Sequence, residues 1–296
     1  MSVAATSQIF SFPTEFTSGN LLLSTLNTAD LLYTLDLRAA EPKAEKVVSF
    51  GSNVTGVTAV VPFEDDLYAV GGGLHTSYAF QKGSMSLFII SLLTRTIIDS
   101  IPVPDAPIMN GLATLPYHPH IVVSADSVDG RIYSIDTRAK EVSVMLEDAA
   151  LGPDSDNTSP IGPVGINGLR TWGDYLYFTN SDRGTLSRFR VGEDGKKIGD
   201  FEVLAQSPTT SQTYDDFAFD REGNVYIAVH PESVVRITPD GVQTTIGSSE
   251  MGSVVFKEPT SVALANDGKS IYVSTGGNLT ANPREGGQVI QITLEE

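Results

Sequence analysis

Apolar and polar residues alternate in short runs along almost the whole chain, and Gly, Asp, Asn and Pro separate one run from the next. Period-two alternation bounded by turn residues predicts half-buried antiparallel strands, and helical periodicity is nearly absent. The runs also recur as a unit: a polar residue followed by a small one, an apolar strand, a turn with Asp or Gly, a strand carrying Tyr, then a third strand. Copies read TGVTAVVPFEDDLYAV from Thr55, NGLATLPYHPHIVVSAD from Asn110, NGLRTWGDYLYFTNSD from Asn167, DDFAFDREGNVYIAVH from Asp215 and TSVALANDGKSIYVST from Thr260. A divergent copy, GNLLLSTLNTADLLYTLDL, begins near Gly19, and third strands follow as SLFIISL, GRIYSIDT, GTLSRFRV, SVVRITP and QVIQITL.

From Asn110 onward the copies begin 45 to 57 positions apart, room for three or four strands each. Six such units predict an all-β chain: a six-bladed β-propeller of four-stranded antiparallel blades, one domain over residues 1–296, its ring closed by the N-terminal strand. The segment QIFSF, residues 8–12, is the expected closing strand. A β-solenoid, the rival architecture, calls for shorter and more regular repeats.

In a propeller the residues entering each first strand and those in the second-to-third loops emerge on one face, around one mouth of the channel. The entering residues are Thr55, Asn110, Asn167, Asp215 with Asp216, and Thr260; the loops add His75, Tyr78, Asp126, Asn180, Asp182, His230 and Asn278. A ring of amide and carboxylate oxygens suits a hard cation such as calcium, which takes about six to eight oxygen ligands. The same residue types before a strand also serve as turn residues that bond nearby backbone. Trp172 and Asp174, and His118 and His120 one copy earlier, fall in first-to-second-strand turns on the opposite face. The glycine runs lack the strand-to-helix context of a phosphate loop, and no G-x-S-x-G elbow occurs.

Charge narrows the partners. With 36 acidic and 19 basic residues the formal net charge is -17, which repels nucleic acid and anionic membranes and leaves small-molecule substrates, expected to be apolar. The 296-residue chain has no cysteine, so thiolate chemistry and disulfides are excluded and a reducing compartment is favoured. MSVAATSQIFSF lacks a basic n-region and an apolar h-region, so the expectation is a soluble, cytoplasmic protein. A secreted form cut from its signal peptide is the alternative, with N-x-S/T sequons at Asn53, Asn157 and Asn278.

GINGLR with YLYFTNSDRGTLSRF, then DDFAFDREGNVYIA, then PTSVALANDGKSIYVSTGG, resembles the gluconolactonase, senescence marker protein (regucalcin) and strictosidine synthase-like superfamily of six-bladed propellers, over essentially the whole chain. The wording of these blades is closest to its filamentous-fungal branch. The resemblance implies a divalent cation held by a first-blade glutamate, by the asparagine of N-G-L and by an aspartate, which map onto Glu15, Asn167 and Asp215. Asp216 stands where the family has glycine, and the surroundings of Glu15, FPTEFTSGN, depart from the family's pattern.

The fungal branch also includes hetero-Diels–Alderases of tropolone sesquiterpenoid biosynthesis. That resemblance implies a cyclase needing no cofactor, which joins a tropolone ortho-quinone methide to a humulene-type alkene in a pocket at the channel mouth. Asn110 and Asn167 would then donate amide N–H bonds to substrate oxygens, and Tyr78, His75 and Tyr214 would orient substrate or move a proton. Asp215 or Asp216 would serve as base, and Asn180, His230 and Thr260 would line the site. The alternatives are a metal-dependent lactonase and a non-catalytic binding propeller.

Overall fold

The structure, a computed structural model, describes the chain apart from residues 1, 6–9, 17–19, 27–31, 65, 77–78, 155–162, 278–285 and 295–296, and apart from the side chains of residues 2–5, 10–16 and 76. Among the described residues there is no helix. Six four-stranded antiparallel sheets form the blades of a six-bladed β-propeller fold. The chain divides into two compact units of three blades each, one made of Met1–Ser49 with Asp215–Glu296, the other of Phe50–Tyr214.

In the second unit, blade 2 is built from Gly56–Glu64, Leu67–Gly73, Ser86–Ser91 and Thr96–Pro102, and a short hairpin of His75–Thr76 with Ala79–Phe80 interrupts it. Blade 3 comprises Leu112–Leu115, His118–Asp126, Arg131–Asp136 and Glu141–Glu147; blade 4 comprises Ile166–Trp172, Tyr175–Asn180, Thr185–Val191 and Lys197–Gln206. Burial grades across each blade. Tyr175–Asn180 is buried at every position but its first, whereas Glu141–Glu147 is exposed or half-buried throughout. The middle strands pack on both faces and so read as continuous apolar runs, while the fourth strands keep one solvated face. Leu169, Leu176, Phe178 and Phe189 of blade 4 pack with Ala113, Val123 and Ile132 of blade 3 in one cluster. Gly111 permits this approach: its N–H donates to the Asn167 carbonyl at 3.0 Å, and a Cβ at residue 111 would meet that oxygen at 2.3 Å.

In the first unit, blade 1 comprises Phe10–Phe16, Asn20–Thr25, Leu32–Asp36 and Ala44–Val48, and blade 5 comprises Thr213–Phe219, Val225–His230, Ser233–Ile237 and Gln243–Ser248. Blade 6 takes Pro259–Leu264, Ser270–Thr275 and Gln288–Thr293 from the C-terminal end and its edge strand from Ser2–Ala5, with Val3 opposite Ile290. The N-terminal strand therefore completes the last blade as expected, but it is not QIFSF. Residues 10–12 of that segment belong to the first strand of blade 1, with Phe12 opposite Ser24. The divergent copy read from Gly19 accordingly supplies the second and third strands of blade 1. Leu21, Leu23 and Tyr33 of blade 1 pack with Ala263, Tyr272 and Val289 of blade 6.

Asp126, at the end of the second strand of blade 3, is fully buried. Its Oδ1 accepts the N–H groups of Val128 and Asp129 at 3.0 and 3.2 Å, while Oδ2 has no hydrogen-bond partner. Burial pushes its carboxyl up to about 6 against the backbone bonds, which pull down. A carboxyl raised in the folded state costs nothing below its ordinary 3.8 and its full penalty, about 3 kcal/mol, above about 6. Blade 4 carries Asn180 at the same place. Asp126→Asn is therefore expected to raise the melting temperature by a few degrees at pH 8 and to leave it unchanged at pH 4; thermal scans at both values check this, and an equal effect at both would contradict it.

Candidate functional site

Three blades build the same local device at the entry of the first strand. In blade 4, Asn167 Nδ2 donates to Ser181 Oγ at 2.9 Å, and Ser181 Oγ donates to the Tyr214 carbonyl at 2.8 Å. In blade 3, Asn110 Nδ2 donates to Ser127 Oγ at 3.0 Å, and Ser127 Oγ donates to the Ile166 carbonyl at 2.6 Å. Each chain runs from the start of a first strand, to the loop after the second strand of that blade, to the backbone entering the next strand. The carbonyl can only accept and the hydroxyl has one hydrogen, so the serine must donate forward and the asparagine must donate to it. One amide N–H of both Asn110 and Asn167 is thus spent on a serine. Asn167 Oδ1 is left buried without a hydrogen-bond partner.

Blade 5 has the same device in ionisable form. Asp215 takes the place of the asparagine and His230, 15 positions on, takes the place of the serine, with His230 Nε2 2.8 Å from Asp215 Oδ2. The forward bond goes to a side chain instead of a carbonyl: His230 Nδ1 lies 2.6 Å from Glu258 Oε2. Side-chain exposure rises along the chain, from 12% at Asp215 to 25% at His230 and 45% at Glu258. Burial pulls the His230 imidazole down, but the hydrogen bonds to the two carboxylates outweigh it and push it up to about 9. At neutral pH the ring is therefore an imidazolium that donates one N–H to each neighbour, a charge-assisted pair of bonds. Asp216, buried beside this group, accepts from Ser261 Oγ at 2.7 Å and ties the first strands of blades 5 and 6.

The remaining expected site residues are placed as follows. The Tyr214 ring is wholly buried, and burial pushes its hydroxyl up to about 12. His75 is buried, its ring packs edge-on against Phe80 at 4.9 Å, and desolvation holds it below the usual histidine range. Asn180 is also wholly buried; its Nδ2 donates to the carbonyls of Ala150 and Gly152 at 3.2 and 2.9 Å, a strap on the connection between blades 3 and 4. Thr260 Oγ1 meets Ser274 Oγ at 3.0 Å. Tyr78, Asn278 and the Glu15 side chain lie outside the described residues. His118 reaches the Glu193 carbonyl at 2.7 Å, and Asp174 accepts from Tyr117 and Arg190, so these turn residues make surface contacts.

Of the cation ligands implied by the family resemblance, Asn167 retains a bare acceptor oxygen of the kind calcium takes. Asp215 Oδ2 is bonded to His230 Nε2, so a cation at this residue would be taken through Oδ1.

Residues 163–277 match the family described as the SMP-30/Gluconolactonase/LRE-like region. That span contains both the Asn167 device and the Asp215–His230–Glu258 group. No curated protein sequence matches the chain. Among solved structures, a luciferin-regenerating enzyme is similar at 13% identity and a TM-score of 0.66, over 98% of this chain and 92% of its own. Regucalcin from Agrobacterium tumefaciens, a calcium-binding protein, is similar at 17% identity and 0.64, over 98% and 96%. An auxiliary nutrient binding protein from Bacteroides ovatus is similar at 15% identity and 0.66, over 99% and 70%. At these identities the likeness shows the fold.

Two measurements follow. Ser181→Ala removes two buried hydrogen bonds, from the Asn167 amide and to the Tyr214 carbonyl, and is expected to cost about 1–3 kcal/mol in urea unfolding; a loss below about 0.5 kcal/mol would show that the device carries little load. The His230 pairing favours the charged ring in the folded state, so its stabilisation is complete below the ordinary 6.5 and is lost as pH rises through about 9. The urea midpoint of the wild type should fall over that interval relative to His230→Gln, and parallel profiles would contradict the pairing.

Proposed function

We propose that this chain is an enzyme acting on a small organic substrate through acid–base and hydrogen-bond chemistry centred on Asp215 and His230, and needing no metal for the reaction. The observation that carries the reading is the bond from His230 Nε2 to Asp215 Oδ2 at 2.8 Å, which gives the aspartate a proton carrier as its partner. Two other blades meet the structural need at this position with a neutral serine, so an ionisable pair is more than strand entry requires.

In its most concrete form the reaction is an intermolecular hetero-Diels–Alder joining of a tropolone ortho-quinone methide to a humulene-type alkene. His230 passes its Nε2 proton to Asp215, whose carboxyl protonates the hydroxyl of a hydroxymethyl precursor, and the carbon–oxygen bond breaks as water leaves. Asp215, again a carboxylate, takes the proton of the adjacent ring hydroxyl and returns it to the neutral imidazole, which yields the quinone methide and restores the imidazolium. Cycloaddition then forms its two bonds without proton transfer, and the protein's part is to hold diene and alkene in a near-attack geometry.

A second reading is a metal-dependent lactonase of the gluconolactonase type. The partnerless Asn167 Oδ1 supports it, as does the similarity to regucalcin, a calcium-binding protein. The test is product formation by the purified protein in chelator, with the hydroxymethyl tropolone precursor and the alkene, beside lactone hydrolysis with added calcium. Cycloadduct formed in chelator, and lowered about 100-fold or more by both Asp215→Asn and His230→Gln, supports the cyclase. Hydrolysis abolished by chelator overturns it in favour of the lactonase, and inertness toward both substrate classes overturns both in favour of a binding propeller such as the nutrient-binding neighbours.

A further inference from the structure

Glu258 sits in a conformation that its residue type disfavours. Its φ is +55°, in the left-handed region where a side chain other than glycine's costs about 1–2 kcal/mol. The backbone there is pinned on both sides: its N–H donates to the Pro231 carbonyl at 3.0 Å and its carbonyl accepts from Gly276 at 2.7 Å. Glycine would hold the same turn without strain. What glycine would not supply is the carboxylate that meets His230 Nδ1 at 2.6 Å.

The neutral devices of blades 3 and 4 show what structure alone asks of this place. There the forward partner is a backbone carbonyl, Ile166 or Tyr214, which any residue provides. In blade 5 a side chain takes over, and it does so from a strained backbone. An imidazole bonded through one nitrogen can swivel about that bond, whereas bonds at both nitrogens fix the plane of the ring and the direction of Nε2.

We infer that Glu258 is a positioning residue of the Asp215–His230 site: its carboxylate clamps the Nδ1 edge of His230 so that Nε2 is aimed at Asp215. This rests on the reading of Asp215 and His230 as the working pair, and it adds a third member that acts through the ring rather than on the substrate. It also accounts for the presence of a charged residue at a glycine-favouring turn.

The experiment uses the full chain with Glu258→Gln and Glu258→Gly, and it reads ring geometry separately from turnover. In proton NMR the wild type should show a strongly deshielded His230 Nδ1–H signal that is lost in Glu258→Gly and moved upfield in Glu258→Gln, while the Nε2–H signal persists. Thermal midpoints taken above about pH 9, where the stabilisation from the charged ring is lost, should be unchanged or higher in Glu258→Gly, because strain is relieved. With a substrate found active on the wild type, kcat should fall about tenfold or more in Glu258→Gly with KM nearly unchanged, and Glu258→Asp should recover part of it. Loss of stability in Glu258→Gly above about pH 9, in step with activity, would overturn the inference in favour of a structural residue, and so would an unaltered Nδ1–H signal. If the signal changes as expected and kcat does not, the clamp exists and it is the reading of Asp215 and His230 as the working pair that fails.

Discussion

The strand-entry hydrogen bond is the constraint on which the rest depends. A blade can pack against the next only if the backbone entering each first strand has its polar groups paired, because an unpaired buried carbonyl or amide costs as much as a good hydrophobic contact gains. In blades 3 and 4 an asparagine, a loop serine and the following strand's carbonyl close that account in one line. Gly111 then lets the two first strands come within hydrogen-bond distance, and the apolar cluster around Phe178 and Phe189 fills in behind.

Blade 5 keeps the geometry and changes the chemistry. Asp215 and His230 fill the places of the asparagine and the serine, and Glu258 replaces a carbonyl. The exchange turns a neutral staple into two carboxylates around one imidazolium, anchored by strands whose own hydrogen bonds do not depend on it. A group built this way is pre-organised: the buried end at Asp215 is fixed by the blade and the more exposed end at Glu258 by a pinned turn. The repeat thus supplies an internal comparison, in which two copies show what the fold requires and a third shows what has been added.

Much of the architecture was legible because strand periodicity and repeat register are local properties of the sequence. NGLATL, NGLRTW and DDFAFD announce the first strands, and the Tyr-bearing second strands follow at nearly constant spacing. Blade 1 was misplaced by one strand because Phe10–Phe16, FSFPTEF, opens with no N-G or D-D signal and contains a proline. Among site residues, Asp215 and His230 were visible as members of a register. Glu258 was not: it lies in KEPTSV, 28 positions from His230, and neither its φ nor the direction of its side chain leaves a mark on the local pattern. An acidic residue just ahead of a strand entry that lacks Asn or Asp was the available signal.

The sequence by itself determined the all-β class, the number of blades, the use of the N-terminus to complete the last one, and the set of polar residues gathered at strand entries. These follow from alternation and repetition, which act over a few residues and are set before the chain folds. Only the tertiary structure decided which of those residues bond to neutral partners and which to ionisable ones. Asn110, Asn167, Asn180 and His75 read in sequence like Asp215 and His230, and they part company only in what lies within hydrogen-bond distance. Hydrogen-bond partners and burial are relations between segments far apart in the chain, so the protonation of His230, the enclosure of Tyr214 and the reach of Glu258 came into being only when the blades were assembled.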